Sequence, residues 1–215
     1  MKRLPIVLLS AVLTLSMLTA CSDSSSSAGS STLAGGTSAS TSAAGSSSTE
    51  TELPALTGGF ETPALITPAG QSADGDIIQT LCTRANITVD LDEDATADDL
   101  SGYKTLIFAV GGSSKGLGAA GINSEDELAR VQSLITAAQE QGIKIISMHV
   151  GGSARRGDLS DEFLPDPMRA ADAAVVVSGG DTDGVIRGYL AENNTPAAYV
   201  ESQVDCIDCL TTLFS

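Results

Sequence analysis

The stretch Lys104–Gly121, KTLIFAVGGSSKGLGAAG, decides the predicted fold. Its first part, Thr105–Val110, is a continuous apolar run with β-branched and aromatic residues. Such a run is typical of a strand that is buried on both faces of a parallel sheet. The second part changes abruptly to glycine, serine and one lysine. Because open α/β sheets bind ligands beyond the carboxyl ends of their strands, the stretch predicts a core strand followed by a candidate ligand loop.

Strands and helices alternate on both sides of this stretch. We predict strands over residues 63–67, 86–91, 105–110, 143–150, 173–177 and 197–200, and helices over residues 73–84, 124–141, 185–192 and 204–214. The capping-box pattern Ser124-x-x-Glu127 marks the start of the clearest helix, and Gly142 follows its end. The alternation predicts an α/β three-layer sandwich with a mainly parallel, doubly wound sheet of five to six strands. A flavodoxin-like strand order, 2-1-3-4-5, is expected.

The N-terminal residues have the pattern of a secretory signal. Lys2 and Arg3 precede an apolar run over residues 4–18, as in a signal peptide. Residues 18–21, LTAC, resemble a bacterial lipobox, in which the cysteine is lipid-modified and becomes the new N-terminus. We therefore predict a lipoprotein signal peptide over residues 1–20 and lipidation of Cys21. The acyl chains would anchor the protein to the outer face of a membrane in the cell envelope, since each buried methylene contributes ~0.8 kcal/mol.

A low-complexity segment follows the cysteine. Residues 22–51 are almost entirely Ser, Thr, Ala and Gly, a composition that cannot bury enough apolar surface to offset the entropy of ordering. We predict a disordered tether up to residue 60 and one α/β domain over residues 61–215.

The formal net charge of −16 excludes some partners. A strongly acidic chain repels the phosphate backbone of nucleic acids and anionic lipid headgroups. Nucleic acid is therefore not an expected partner, and contact with the membrane is expected through the lipid anchor only. No second apolar run is long enough to span a bilayer.

Four predicted loops share a composition of small, polar and basic residues. In a parallel sheet the carboxyl ends of the strands lie along one edge, so these loops would face a common crevice. Glycines allow close approach to a ligand, and lysine and arginine attract carboxylate or phosphate groups. The loops predict a site for a small anionic molecule built from Gln71, Ser72, Gly112, Ser113, Ser114, Lys115, Gly116, His149, Gly151, Gly152, Ser153, Arg155, Arg156, Gly180 and Asp181.

Two enzymatic alternatives, a serine hydrolase and a flavin- or nucleotide-binding protein, remain open beside simple binding. The sequence Gly112–Gly116 matches G-x-S-x-G, the nucleophile-elbow pattern with Ser114 as the nucleophile. Helix signals begin only at Ser124, however, and His149 precedes Asp181, which is the wrong order for an α/β-hydrolase triad. A domain that docks a protein partner is a third alternative.

Cofactor and metal sites have weaker support in the sequence. Thr67-x-x-Gly70-x-Ser72 resembles the phosphate loop of flavodoxins, but the aromatic content of only 3% argues against a stacked flavin ring. We therefore expect no cofactor and keep flavin as the alternative. His149 is the only histidine and no cysteine lies near it in sequence, so no metal site is expected.

Three cysteines remain beside Cys21. Cys206 and Cys209 have CxxC spacing, and Cys82 stands apart. The spacing is compatible with small core residues, with a structural disulfide or with a redox dithiol. The sequence does not decide between these three roles.

Several segments together resemble a known bacterial family. These are TPAGQSADG, VGGSSKGLGAAGI, HVGGSARRGDLSD and ADAAVVVSGGDTDG, and they resemble the family catalogued as domain of unknown function 6305 over roughly Pro63 to Phe214. The resemblance implies a secreted or lipid-anchored single α/β unit and implies no activity. The leading hypothesis is therefore a non-catalytic, membrane-anchored lipoprotein that binds a small anion at the carboxyl edge of its sheet.

Overall fold

A single parallel sheet forms the centre of the molecule. The computed structural model describes residues 52–215, so the predicted signal peptide, Cys21 and most of the predicted tether lie outside the described residues. Within them the strands are β1 (Ala64–Ala69), β2 (Val89–Leu91), β3 (Thr105–Val110), β4 (Lys144–His149), β5 (Ala173–Val177) and β6 (Ala197–Val200). All neighbouring strands pair in parallel, in the order β2-β1-β3-β4-β5-β6. This confirms the three-layer, doubly wound sandwich.

Helices cover both faces of the sheet. They are α1 (Asp74–Arg84), α2 (Ser114–Ala120), α3 (Ser124–Gln141), α4 (Asp158–Asp161), α5 (Pro165–Ala170), α6 (Val185–Glu192) and α7 (Cys206–Leu213). Alternate residues of β3 point to opposite faces: Leu106, Phe108 and Val110 pack with α3, α5 and α6, whereas Ile107 and Ala109 pack with α1 and α7. Both faces of the central strand are therefore buried, as its continuous apolar run predicts.

Helix α2 is the main element that the sequence did not predict. It follows β3 almost directly, where the sequence favoured a loop up to Ser124. Gly116 and Gly118 lower its intrinsic helix propensity. The helix is stabilised instead by Ser113 at its N-cap, whose Oγ accepts a hydrogen bond from the Gly116 amide at 3.0 Å.

The start of α3 also differs in detail from the prediction. Its N-cap is Asn123, which forms a capping box with Asp126, so the predicted pairing of Ser124 with Glu127 is wrong. Glu127 is instead fully buried and contacts the loop after β1. The periodicity gave the correct helix but shifted its cap by one residue.

An extended segment, residues 52–62, runs along the amino edge of the sheet. The Pro54 carbonyl accepts a hydrogen bond from the amide of Ala197 at 2.9 Å, and Lys144 donates to the Gly59 carbonyl at 2.8 Å. Phe60 is buried in the cluster on the α1 and α7 face. The packed part of the chain therefore begins before residue 61, where the sequence placed the end of the tether.

The three cysteines of the described residues are unpaired and belong to α1 and α7. Cys82 and Cys206 are buried among apolar side chains, and burial raises the pKa of each thiol to about 12. Burial also raises the pKa of the Cys209 thiol. This arrangement fits small core residues better than a redox dithiol, because the thiolate is the reactive form. Over residues 52–215, no helix is both long and apolar enough to cross a membrane.

Candidate functional site

The four predicted loops do meet at the carboxyl edge of the sheet. Since every strand is parallel, the segments that follow β1, β3, β4 and β5 lie along the same edge. The strand order reverses between β1 and β3, and this switch point is the usual place for a ligand crevice. The contacts at this edge show which of the candidate residues are available to a ligand.

A strap, residues 151–164, crosses this edge from β4 towards β1. The Ser160 hydroxyl accepts a hydrogen bond from the Gly112 amide at 3.0 Å, and the Phe163 ring lies against Gly70. A Cβ atom at Gly112 would come within 2.8 Å of the Leu159 carbonyl oxygen. These glycines therefore serve the close packing of the protein's own strap, whereas the sequence suggested that they leave room for a ligand.

Arg155 pairs with a buried carboxylate at the start of α1. Its Nε lies 3.2 and 3.3 Å from the two carboxylate oxygens of Asp74, whose side chain is only 2% exposed. Gly151 provides the space for the Arg155 side chain. The two terminal nitrogens of Arg155 donate no hydrogen bond to any described residue, so part of this guanidinium is still available.

Arg156 is fully engaged within the protein. It donates to Asp161 at 2.8 Å, to Asp183 at 2.9 Å and to the carbonyl oxygen of Gly180. These hydrogen bonds raise the pKa of Arg156 and lower that of Asp183 to about 2. Arg156 thus ties the strap to the loop after β5, and its charge is compensated before any ligand arrives.

His149 is enclosed between two backbone carbonyl groups. Its Nδ1 lies 3.0 Å from the Val110 oxygen and its Nε2 lies 3.3 Å from the Gly152 oxygen. A Cβ atom at Gly180 would approach Nε2 to 2.5 Å, so glycine is needed above the ring. Burial lowers the pKa of His149, although the two carbonyl oxygens oppose the shift. Among the described residues, Ser114 is not a hydrogen-bond partner of His149.

Asp181 supports the start of α6. Its carboxylate accepts hydrogen bonds from the amides of Ile186 and Arg187 at 2.7 and 2.8 Å, and from the Tyr199 hydroxyl at 2.7 Å. Burial and this carboxylate raise the pKa of Tyr199. The role of Asp181 is therefore to hold the loop after β5 in place.

A buried ion pair shapes the loop after β1. Glu127 accepts from the Gly70 amide at 2.9 Å and from the Gln71 side chain at 3.3 Å, and Arg130 donates to both of its oxygens at 2.8 Å. Arg130 also donates to Thr67 and to the Pro68 carbonyl. The Gly70 amide, which a flavodoxin-type loop would offer to phosphate, is therefore taken by the protein's own carboxylate.

An open pocket of about 370 Å³ remains at the switch point. It lies between the loop after β1, the loop after β2 and helix α2. Its lining residues are Gln71, Ser72, Ala73, Glu93, Asp94, Ser113, Lys115, Gly116, Ala119 and Ala120. The charged ends of Lys115, Glu93 and Asp94 make no ion pair or hydrogen bond with any residue of the described range.

A family model of known sequence relatives matches most of the chain. It covers residues 61–214 and is described as a domain of unknown function, DUF6305. The chain belongs to the DUF6305 family.

No curated protein shows significant sequence similarity to this DUF6305 chain. Among solved structures it is similar to AlinE4, whose crystal structure is described as that of an SGNH-hydrolase family esterase. The two share 12% sequence identity over 66% of this chain and 77% of that chain, with a TM-score of 0.31. A likeness of this degree carries no argument about activity.

The residues of the predicted site of the DUF6305 domain divide into three groups. The pocket brings together five of the candidates, namely Gln71, Ser72, Ser113, Lys115 and Gly116. Ser114 is exposed on α2 outside the pocket lining. The remaining candidates belong to the end of β4, to the strap and to the adjoining loops and do not line the pocket, namely Gly112, His149, Gly151, Gly152, Ser153, Arg155, Arg156, Gly180 and Asp181.

Sequence reasoning missed four residues that matter at this edge of the DUF6305 domain. Glu93 and Asp94 line the pocket, and Glu127 with Arg130 holds its β1 loop. Glu127 had a detectable signal, because it lies four residues before Val131 and so belongs to the buried stripe of α3. A charge in an apolar stripe indicates a buried partner.

Proposed function

We propose that this DUF6305 protein is a lipid-anchored extracytoplasmic protein whose α/β domain binds a small molecule with a carboxylate or phosphate group. The observation that supports the proposal is the polar pocket at the switch point between β1 and β3. Its volume of about 370 Å³ falls at the lower end of the range for small-molecule sites. Binding without catalysis is the function that its residues support best.

Lys115 is the basic group best suited to attract the acidic group of the ligand. It lines the pocket and its charge is not compensated within the described residues, whereas Arg156 is held by two carboxylates. Ser72 and Ser113 each accept a backbone hydrogen bond through Oγ, which leaves the hydroxyl hydrogen to donate. A lysine with two hydroxyl donors fits one carboxylate or phosphate.

The position of the N-terminal segment supports an anchored arrangement. Residues 52–62 run along the amino edge of the sheet, where Glu61 contacts Thr105 at the start of β3. The pocket lies at the opposite, carboxyl edge. The described chain therefore enters the domain at the edge opposite the pocket, which leaves the pocket free for a ligand.

Thermal unfolding in the presence of ligands tests the binding proposal. The chain contains no tryptophan, so the transition of the full chain in detergent is followed by circular dichroism. A carboxylate or phosphate that binds is expected to stabilise the protein by about 2.7 kcal/mol at a concentration of 100 times its Kd. Lys115→Gln is expected to remove the shift, and Lys104→Gln, which removes the same charge at the amino edge, is expected to keep it. Equal shifts in the two variants would contradict the role of Lys115.

Fractionation of the producing cells tests the anchor. The full chain is expected in the membrane fraction and to incorporate labelled fatty acid, whereas Cys21→Ser is expected to lose the label and to leave the membrane fraction under mild conditions. Retention of Cys21→Ser in the membrane with no fatty acid on the parent chain would rule out the lipid anchor.

A further inference from the structure

The pocket at the switch point carries charges of both signs on different walls. Lys115 belongs to α2, and Glu93 and Asp94 follow β2. No ion pair within 4.0 Å joins Lys115 to either acid among the ion pairs of residues 52–215. The basic and acidic groups therefore line one cavity and remain apart.

Both walls are held in position by the same residue, Gln71. Its side-chain amide donates to the Glu93 carbonyl at 3.0 Å and to the fully buried carboxylate of Glu127 at 3.3 Å. Its backbone packs so tightly against Gly116 of α2 that a Cβ atom there would collide with the Gln71 carbonyl. Gln71 has a left-handed backbone, with φ at 57°, and is bridged to Gly112. The spacing between the backbone at Glu93 and the backbone of α2 is thus fixed by these contacts of Gln71.

From this arrangement we infer that the ligand is a zwitterion, a small molecule with an ammonium group and a carboxylate joined by a short chain. The inference rests on the proposed function and specifies its ligand. A simple anion would be attracted by Lys115 but repelled by Glu93 and Asp94, since charges of the same sign that line one cavity repel each other. A zwitterion places its carboxylate near Lys115 and its ammonium near the two acids, so each charged wall gains a partner.

The rest of the lining suits the middle of such a molecule. Ala73, Ala119 and Ala120 contribute methyl groups to the pocket, which can contact a short aliphatic chain. Ser72 and Ser113 supply hydroxyl groups. The pocket volume of about 370 Å³ admits a molecule of the size of an amino acid.

Calorimetric titration of the full chain in detergent at low ionic strength tests the inference. The probes are the aminoalkanoates from glycine to 6-aminohexanoate, each compared with the alkanoate and the alkylammonium ion of the same length. We expect at least one aminoalkanoate to bind about tenfold more tightly than both of its matched ions, because one additional charged contact of ~1.4 kcal/mol corresponds to this factor.

Charge variants distinguish the contribution of the acidic wall to binding from that of the basic wall. The double variant Glu93→Gln/Asp94→Asn is expected to abolish the preference for the zwitterion over the alkanoate, and Lys115→Gln is expected to weaken both ligands. Glu140→Gln/Asp208→Asn removes two exposed acids on α3 and α7 and is the matched control, which should bind as the parent chain does.

The possible outcomes distinguish this inference from the proposed function. The alkanoates could bind as tightly as the aminoalkanoates, and removal of the two acids could leave the ratio of the two affinities unchanged. This result would show that the ligand is not a zwitterion, and the proposed binding of a simple anion would stand. If no aminoalkanoate, no alkanoate and no inorganic phosphate binds at millimolar concentration to the folded chain, both proposals are overturned.

Discussion

Glu127 is a charged residue with no exposed surface, and one of its partners, Gln71, lines the pocket. Its carboxylate receives hydrogen bonds from Gly70, Gln71 and Arg130. A buried ion pair of this kind costs desolvation energy, but removal of one partner leaves the other charge uncompensated. The residue therefore determines both the stability of the domain and the shape of the loop after β1.

Substitution of Glu127 is expected to be strongly destabilising. Glu127→Gln keeps the size of the side chain but leaves Arg130 without its carboxylate, and we expect the free energy of unfolding to fall by about 3 kcal/mol. Urea unfolding followed by circular dichroism measures the change. Glu125→Gln, on the exposed side of the same turn, is the control and should stay within about 0.5 kcal/mol of the parent chain. Equal midpoints for the two variants would show that the buried pair contributes nothing.

His149 is expected to make stability depend on pH. Its pKa in the folded protein lies below the ordinary value of 6.5 because the ring is buried, with Asp74 and Arg156 as the nearest charges. Below this ordinary value the unfolded chain binds a proton that the folded chain does not, so stability is present above pH ~6.5 and decreases as the pH falls, by at most about 1.4 kcal/mol per pH unit.

Unfolding free energies measured between pH ~7 and pH ~5 test this expectation. His149→Gln removes the only imidazole and should flatten the profile over this interval. The carboxylates with lowered pKa, such as Asp161 and Asp183, lose their contribution only at more acidic pH. A profile with the same slope in both proteins would assign the dependence to other groups.

At the level of elements, the regular parts of the fold were predictable from periodicity and the irregular parts were not. The bounds of β3, α3, β5 and β6 match the predictions because long apolar runs and stripes determine them. Helix α2 was missed because its two glycines weaken the local signal. Strand β2 is shorter than predicted, at Val89–Leu91, and it lies at the edge of the sheet.

The candidate site was predictable as a place but not as a set of available side chains. The parallel alternation of elements puts the four loops at one edge, and this follows from the sequence. The partners of Arg155 and Arg156 depend on tertiary contacts: Asp74 is 81 residues from Arg155 and Asp183 is 27 residues from Arg156. Asp161 is only five residues from Arg156, but the sequence does not show that the two side chains meet, so both arginines were expected to be available.

The segment at residues 52–62 behaves as an element of the domain. Phe60 is buried, and its ring centroid lies 6.3 Å from that of Phe214. Lys144 lies over the same ring, 5.2 Å from its centroid. These contacts close the amino edge of the sheet beside the end of α7.

We expect Phe60→Ala to lower the free energy of unfolding by about 3 kcal/mol, as for other large-to-small substitutions of buried aromatic residues. Thr57→Ala, an exposed position in the same segment, should leave it unchanged. Urea unfolding of the full chain compares the two. If both variants unfold at the urea concentration of the parent chain, the segment is part of the tether as the sequence suggested.

For the whole molecule, the amino and carboxyl edges of the sheet have different structural roles. The amino edge receives the N-terminal segment, and the carboxyl edge carries a strap that fills most of the crevice and leaves one pocket beside β1, β2 and β3. No buried side-chain nitrogen or oxygen of the described residues lacks a hydrogen-bond partner. The polar groups that are still free to bind a ligand are therefore accessible ones, such as those that line the pocket.

Binding at this pocket is the central claim, and a nuclear magnetic resonance titration tests it most directly. The isotope-labelled chain is titrated with the tightest aminoalkanoate while the backbone amide signals are followed. We predict that the shifts concentrate in residues 71–73, 93–94, 113, 115, 116, 119 and 120, which line the pocket. Shifts confined to the surroundings of Arg155 and Arg156, shifts at the amino edge, or no shifts at saturating concentration would contradict the account.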